Sequence, residues 1–403
     1  MNPVRNPFAP GAGTRPPELS GRVALIEETR IAIERVKLRR PAKSVIVVGL
    51  RGVGKTVLLN EFGDYARAAG CRTILIEAHE IKPLPDLLVP PLRHLLLAFD
   101  RLGALSEAVK RGLRVLKSFM GAVRLKYGEA ELALDIDPEL GSADSGDLEM
   151  DLPALFQAVG QAAIDRGQTV VLLIDELQYL NPLEMSALIM ALHRINQERL
   201  PILMFGAGLP QVLALAGKSK SYAERLFDFP RVGSLSEADA AEAIRKPIEA
   251  EGERITEEAL IALIAQTQGY PFYLQEWGYQ AWQAAAASPI TRADVETATE
   301  VSIKRLDESF FRVRFDRLTP REKDYVQAMA RLPGSGPYRS GDVADALGLS
   351  VRTVGPVRNN LIEKGMVYAP AYGDTAFTVP LFELFLQRLS AIKPPATEER
   401  NNA

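Results

Sequence analysis

Eight consecutive residues constrain this chain more than any other feature. Gly49-Leu50-Arg51-Gly52-Val53-Gly54-Lys55-Thr56 reads G-x-x-x-x-G-K-[ST], and it follows the β-branched run Ser44 to Val48 and opens the helical pattern Thr56 to Ala69. Strand, glycine-rich turn and helix in that order make a phosphate-binding loop. The glycines let consecutive backbone N–H groups curl toward β- and γ-phosphate oxygens, and the helix adds its positive N-terminal end. Gly49, Gly52, Val53 and Gly54 are the expected cradle, with Lys55 bridging the β- and γ-phosphates and the Thr56 hydroxyl a Mg2+ ligand.

A loop of this kind needs a sheet behind it, and the sequence supplies one. Thr73 to Ile76, Val170 to Ile174 and Pro201 to Phe205 are further short apolar runs, and the helical segment Leu183 to Glu198 separates the last two. Buried strands alternating with helices predict an α/β fold with a parallel sheet covered on both faces. The run Val170 to Ile174 ends in Asp175-Glu176, the form of a Walker B segment. Asp175 is expected in the Mg2+ shell and Glu176 as the general base that polarises water, against the plainer alternative of strand-end acids that meet solvent or cap the helix after Pro182.

Composition narrows the remaining choices. The chain has 403 residues, room for two to four domains, and its 47% hydrophobic and 25% charged content excludes disordered and fibrous classes. A net charge of -3 gives no global pull toward nucleic acid or anionic membrane, so such binding needs a local patch. One cysteine, Cys71, and three scattered histidines, His79, His94 and His193, offer neither a disulfide nor metal-ligand spacing, which points to a reducing, cytoplasmic setting. Apolar runs far shorter than the roughly 20 residues of a membrane span predict no membrane association. Residues 1–20, rich in Pro and Gly, are expected to form an extended arm.

Between the second and third strands lies an insertion, 84–152. It is basic first, with Lys110, Arg111, Arg114, Lys117, Arg124 and Lys126 uninterrupted by acid, then acidic from Glu129 to Asp151. The alternation in Val123 to Ile136 around Tyr127-Gly128 predicts a hairpin. The basic stretch is a second candidate nucleic-acid contact or, alternatively, a solvated face neutralised by the acids that follow.

Taken in order, Gly21-Arg22, the phosphate loop, Asp175-Glu176, Gly206-Ala207-Gly208, Glu224-Arg225-Leu226-Phe227 and Gly269-Tyr270-Pro271 resemble the AAA+ and STAND-type P-loop ATPases. The similarity is greatest to the origin-recognition-like and archaeal-ATPase-like branch. That resemblance implies an ATPase core over 21–232, a helical lid over 233–300, ATP and Mg2+ as ligands, and a nucleotide-dependent homo-oligomer. Gly21-Arg22 and the arm would lie near the adenine, and Gly269 and Pro271 would belong to the lid element at the nucleotide. Arg225 would be an arginine finger acting on a neighbouring subunit; the alternative is a salt bridge with Glu224 or Asp228. Two departures stand out. Gly-Ala-Gly replaces the polar residue expected at the end of the strand beside the γ-phosphate, and no lid arginine follows the Gly-Tyr-Pro element, so slow hydrolysis is consistent with the pattern. The aromatics Phe272, Tyr273 and Trp277, at helical spacing, are expected in the lid core.

From Thr319 onward the pattern changes. A helix beginning at Thr319-Pro320, a second from Ser340 to Leu347, a tight turn and a third up to Lys364 read as helix-turn-helix, and Met366 to Pro380 reads as a hairpin with Gly373-Asp374 at its tip. The whole, 318–390, resembles a winged helix. Pro356 predicts that the third helix starts near Gly355-Pro356. Arg352, Arg358, Asn359 and Lys364 are the candidate contacts to double-stranded DNA, and residues 303–365 hold 12 basic and 8 acidic side chains. Two functions follow: a DNA-associated ATPase, or a STAND-like signalling switch with slow or no hydrolysis whose C-terminal module binds a partner protein.

Overall fold

The aliphatic runs become strands because both of their faces are covered. In the computed structural model, which describes residues 1–11, 13–100, 106–123, 136–334 and 336–392, five strands form one parallel sheet. They are β1 (Ser44–Val48), β2 (Arg72–Glu77), β3 (Val170–Asp175), β4 (Ile202–Gly208) and β5 (Phe227–Asp228), in the order β2-β3-β4-β1-β5. The three central strands β1, β3 and β4 are buried along their whole length, as a sheet between two helical layers requires. At the edge, β2 instead exposes Leu75 and Glu77. β4 runs three residues beyond the expected Phe205 and carries Gly206-Ala207-Gly208 within the strand.

Among the described residues eight α-helices accompany this sheet: α1 (Val23–Lys37), α2 (Lys55–Ala68), α3 (Leu84–Asp100), α4 (Glu107–Val123), α5 (Leu148–Asp165), α6 (Pro182–Gln197), α7 (Gln211–Ser219) and α8 (Ala223–Leu226). One apolar core joins Ile46, Leu172 and Met204 of the strands to Leu188 and Leu192 of α6, and continues without a break through Leu96, Leu116 and Leu155 of α3, α4 and α5. The insertion is therefore part of the core, each fully buried aliphatic side chain contributing about 1.5–3 kcal/mol of transfer free energy. Glu139 of the acidic stretch pairs with Arg111 at 2.7 Å and Arg114 at 3.5 Å, Glu107 pairs with Lys110, and Lys117 donates to the Ile136 carbonyl. That is the neutralised-face alternative for the basic stretch. The hairpin expected around Tyr127-Gly128, with Arg124, Lys126 and Glu129, lies outside the described residues.

Two compact units divide the chain. One is Gly11–Gly49 with Val53–Asp239; the other is Met1–Pro10, Leu50–Gly52 and Ala240–Ala403. The expected lid and C-terminal module thus share one unit. It contains α9 (Glu237–Ala250, which starts at the boundary), α10 (Glu257–Thr267), α11 (Pro271–Ala284), α12 (Arg292–Arg305), a π-helical segment Leu306–Phe311, α13 (Arg312–Asp316), α14 (Pro320–Arg331), α15 (Ser340–Ala346), α16 (Val351–Glu363) and α17 (Phe382–Ile392). Tyr273 and Trp277 are buried, Trp277 with its indole N–H on the Thr299 hydroxyl, as a core reading of these aromatics requires.

The arm differs from expectation in being anchored. Phe8 is buried against α11, where a Cβ on Gly278 would meet its ring at 2.8 Å. Asn6 donates to the Tyr279 carbonyl, Trp282 donates to the Asn2 carbonyl, and Arg5 pairs with Glu251. The buried phenyl ring supplies apolar area and these polar contacts fix the segment's path.

β6 (Tyr338–Arg339), β7 (Val367–Tyr368) and β8 (Asp374–Phe377) form an antiparallel sheet in the order β6-β8-β7. The connection between β7 and β8 occupies 369–373, so Asp374 begins a strand instead of sharing the turn. The third helix of the module corrects the sequence reading. α16 starts at Val351, with Ser350 as N-cap accepting from the Thr353 N–H, and Pro356 lies inside it. The proline deprives only the Arg352 carbonyl of a helical donor, and at that exposed end water can replace it.

Candidate nucleotide site

Register brings the motifs together. Val48 of β1 aligns with Gly208 of β4, and Ile174 of β3 with Gly206, so the phosphate loop, Asp175-Glu176 and the end of β4 all leave the same edge of the sheet. Carboxyl ends of parallel strands are where open α/β sheets bind ligands. The loop's shape depends on its glycines. A Cβ on Gly49 would sit 2.4 Å from the Val232 carbonyl oxygen, and Gly54 caps α2 in the left-handed region at φ 90°. Lys55, the first residue of α2, is buried.

Thr56 Oγ1 donates to Asp175 Oδ2 at 2.6 Å. Burial pushes the Asp175 carboxyl above its ordinary range, opposed by that bond and by the Glu176 N–H. A desolvated carboxylate in contact with a hydroxyl is a donor pair that suits a hard divalent cation. Among the described residues no group of three or more His, Cys, Asp or Glu could hold a metal ion.

Glu176 has φ 54°, ψ 39°, a left-handed backbone that costs a residue with a Cβ on the order of 1–3 kcal/mol and clusters at functional sites. Its carboxylate accepts a hydrogen bond from Gln178 Nε2, and Gln178 Oε1 accepts from the Leu209 N–H at 3.0 Å. The sequence reading passed over Gln178. Its only signal was a glutamine two residues after the strand-end acid. The Gly-Ala-Gly of β4 has a steric reason: a Cβ on Gly206 would lie 2.4 Å from Leu177 Cδ1, and one on Gly208 would lie 3.2 Å from Gln178 Oε1.

The arm's inner half crosses the start of α2. A Cβ on Gly13 would be 3.5 Å from Thr56 Cγ2, and Arg15 pairs with Glu61. Arg22 donates to the Gly233 carbonyl at 2.6 Å. Arg225, near the end of α8, is exposed. Among the described residues it forms no ion pair with Glu224 or Asp228, and Asp228 instead binds Lys43 at 2.9 Å.

In the other unit, which includes Leu50–Gly52, Gln268 and Gly269 end α10 with φ of 53° and 65°, Tyr270 caps α11 and Pro271 opens it. Gly269 and Pro271 shape a turn and contribute no side-chain polar group. Their neighbours do: the Tyr270 hydroxyl donates to the Arg51 carbonyl, and the Phe272 N–H donates to the Gly52 carbonyl at 3.1 Å. Further along, the four expected DNA contacts separate. Arg352 and Asn359 are exposed. Arg358 is spent on β8, donating to Thr375 Oγ1 at 2.7 Å and the Asp374 carbonyl at 2.6 Å, and Lys364 on Glu322, at 2.7 and 2.9 Å.

Comparison with known proteins places these features. Residues 18–205 match the AAA ATPase domain, and residues 308–386 match a domain of unknown function. No curated protein matches the chain. Similar solved structures include Cdc6p from Pyrobaculum aerophilum, at 16% identity over 97% of this chain and 98% of that one, with a TM-score of 0.49. Others are the Orc1 protein of Aeropyrum pernix in complex with DNA, at 14% identity over 94% and 96% with a TM-score of 0.44, and the RuvB Holliday junction branch migration motor of Thermotoga maritima, at 15% identity over 94% and 99% with a TM-score of 0.45. The matched segment contains the phosphate loop, Asp175, Glu176, β1, β2, β3 and β4 as far as Phe205, so residues 18–205 of this chain are similar to an AAA ATPase domain.

Proposed function

We propose that the protein binds and hydrolyses ATP with Mg2+, and that its nucleotide state governs self-assembly and the engagement of duplex DNA by its C-terminal module. The observation that carries this reading is the Thr56–Asp175 contact at 2.6 Å beside the glycine loop, with Glu176 next in the chain. The loop N–H groups and Lys55 bind the β- and γ-phosphates, and Thr56 with Asp175 holds the metal through oxygen. Bound Mg2+ neutralises charge on the β- and γ-phosphates. Glu176 orients the attacking water and accepts its proton. Arg225, exposed and clear of its neighbouring acids, is available to a γ-phosphate on an adjacent subunit.

ATP turnover and binding test the reading. Lys55→Ala abolishes nucleotide binding, whereas Glu176→Gln binds ATP and turns it over only at a small residual rate. Wild-type protein that fails to bind ATP in the presence of Mg2+ would overturn it. The C-terminal module, helix, strand, two helices and hairpin in sequence, is read as a winged helix that meets DNA through Arg352 and Asn359. Filter binding to duplex DNA with and without ATP, at two salt concentrations, tests that part. No binding at low salt in either state would refute it.

One observation favours a second reading, the STAND-like switch whose module binds a protein. Two of the four expected DNA contacts, Arg358 and Lys364, are consumed inside the module. Weak turnover together with absent DNA binding selects this alternative.

A further inference from the structure

We infer that Gln178 is a positioning residue for hydrolysis, holding the Glu176 carboxylate and tying it through the end of β4 to the phosphate loop. The inference rests on the ATPase reading above and on contacts that lie wholly within the unit containing the sheet.

The amide has one workable orientation. The Leu209 N–H is a donor, so it must face Gln178 Oε1, which it meets at 3.0 Å; Nε2 is then left for the Glu176 carboxylate, which can only accept. Each end of the side chain is matched to its partner. Glu176 itself lies in the left-handed region, so its direction is not set by the strand pleat and needs a second restraint. A short 3-10 turn, closed by Tyr179 N–H to the Glu176 carbonyl and Leu180 N–H to the Leu177 carbonyl, places Gln178 at the required distance.

The path continues beyond Leu209. The Gly49 N–H at the start of the phosphate loop donates to the Gly208 carbonyl at 3.2 Å. Gly49, Gly208, Leu209, Gln178 and Glu176 therefore form one connected line from the loop that holds the phosphates to the group that activates water. Displacement of the loop end shifts the Leu209 N–H and, through it, the carboxylate. β4 lacks side chains at 206 and 208 so that the turn bearing Leu177 and Gln178 can lie against it. The polar contact missing from the strand end is thus supplied by the neighbouring turn, and it acts on the base.

Gln178→Leu and Gln178→Glu test this. Leucine removes both hydrogen bonds; glutamate keeps the acceptor for Leu209 and turns a carboxylate toward Glu176. Both variants are expected to lower kcat for Mg-ATP roughly 10- to 100-fold, the scale of a misplaced catalytic group. KM and the affinity for a fluorescent ATP analogue should stay within about twofold, because the phosphate contacts are untouched. In a Glu176→Gln background, Gln178→Leu should lower the residual rate no further, since it acts through Glu176. Unchanged kcat in either foldable variant, or a further loss in the double variant, overturns the inference while leaving the ATPase reading intact. Wild-type protein that binds ATP but does not hydrolyse it overturns both.

Discussion

Lys364 was a candidate DNA contact by residue type and position, and its environment gives it a different role. Its ammonium sits 2.7 and 2.9 Å from the two oxygens of Glu322, whose side chain is 3% exposed, and Glu322 also accepts the Thr319 N–H at 2.8 Å in a capping box at the start of α14. Lys364→Met removes the cation and leaves a buried carboxylate with its cap bond alone. Stripping one partner from a fully buried pair costs about 3–5 kcal/mol. Lys364 is 40% exposed, so water screens part of that, and a cost on the order of 2 kcal/mol is expected. At about 1.4 kcal/mol per factor of ten, amide hydrogen exchange in α14 and α16 should accelerate roughly 30-fold in the local-opening regime. Glu322→Gln with Lys364→Met should recover most of the loss, since no charge is then left buried. Exchange-coupled mass spectrometry on the full chain reads this directly. Unchanged protection of α14 in Lys364→Met, together with a uniform fall in DNA affinity and a shallower salt dependence, would refute the internal role.

Other consequences are independent of that one. Burial works against the charge of Glu322, but the Lys364 ammonium and the Thr319 N–H outweigh it and hold the carboxyl below its ordinary range. Its contribution is therefore fully present above the unfolded value of about 4.3 and is lost as pH falls through the lower folded value. Protection of α14 should drop in that acid window and, in Lys364→Met, begin to drop at higher pH; an identical pH profile in the two proteins contradicts the linkage. Gly206→Ala drives a methyl to 2.4 Å from Leu177 Cδ1, an overpacking expected to cost about 1–3 kcal/mol and several degrees of Tm, with Leu177→Ala partly restoring it. Arg225→Ala should leave ATP affinity intact and remove any rise of specific ATPase rate with protein concentration; a persisting rise excludes the trans role.

The phosphate loop and the Asp175-Glu176 pair were legible because each is a contiguous motif attached to an apolar strand, so local pattern and site coincide. Strand order and register were not legible: a parallel sheet was expected, but that Val48 lies beside Gly208 and Ile174 beside Gly206 depends on pairings between distant strands. What escaped detection is made of distant pairs. Gln178 meets an N–H thirty-one positions away, and Lys364 meets an acid forty-two positions away, whose own role as a capping residue hid its second use. Arg358 likewise reads as a groove cation until the strand carrying Thr375 folds back on it. α16 begins five residues before Pro356 because the Ser350 cap satisfies its first turn and the helix loses only one hydrogen bond to the proline.

The emptied strand end has a consequence for substitutions within this fold. Side chains added at positions 206 and 208 would crowd those at 177 and 178, at 2.4 Å from Leu177 Cδ1 and 3.2 Å from Gln178 Oε1, so the turn would have to shift to admit them. A chain of this architecture must choose: a polar group on the strand, facing the ligand, or a turn pressed against the strand, gripping the base. Grafting an asparagine onto position 208 to recreate the first arrangement would evict the second, so its failure to raise turnover would reveal a trade between two designs and say nothing about how well an asparagine can sense a phosphate.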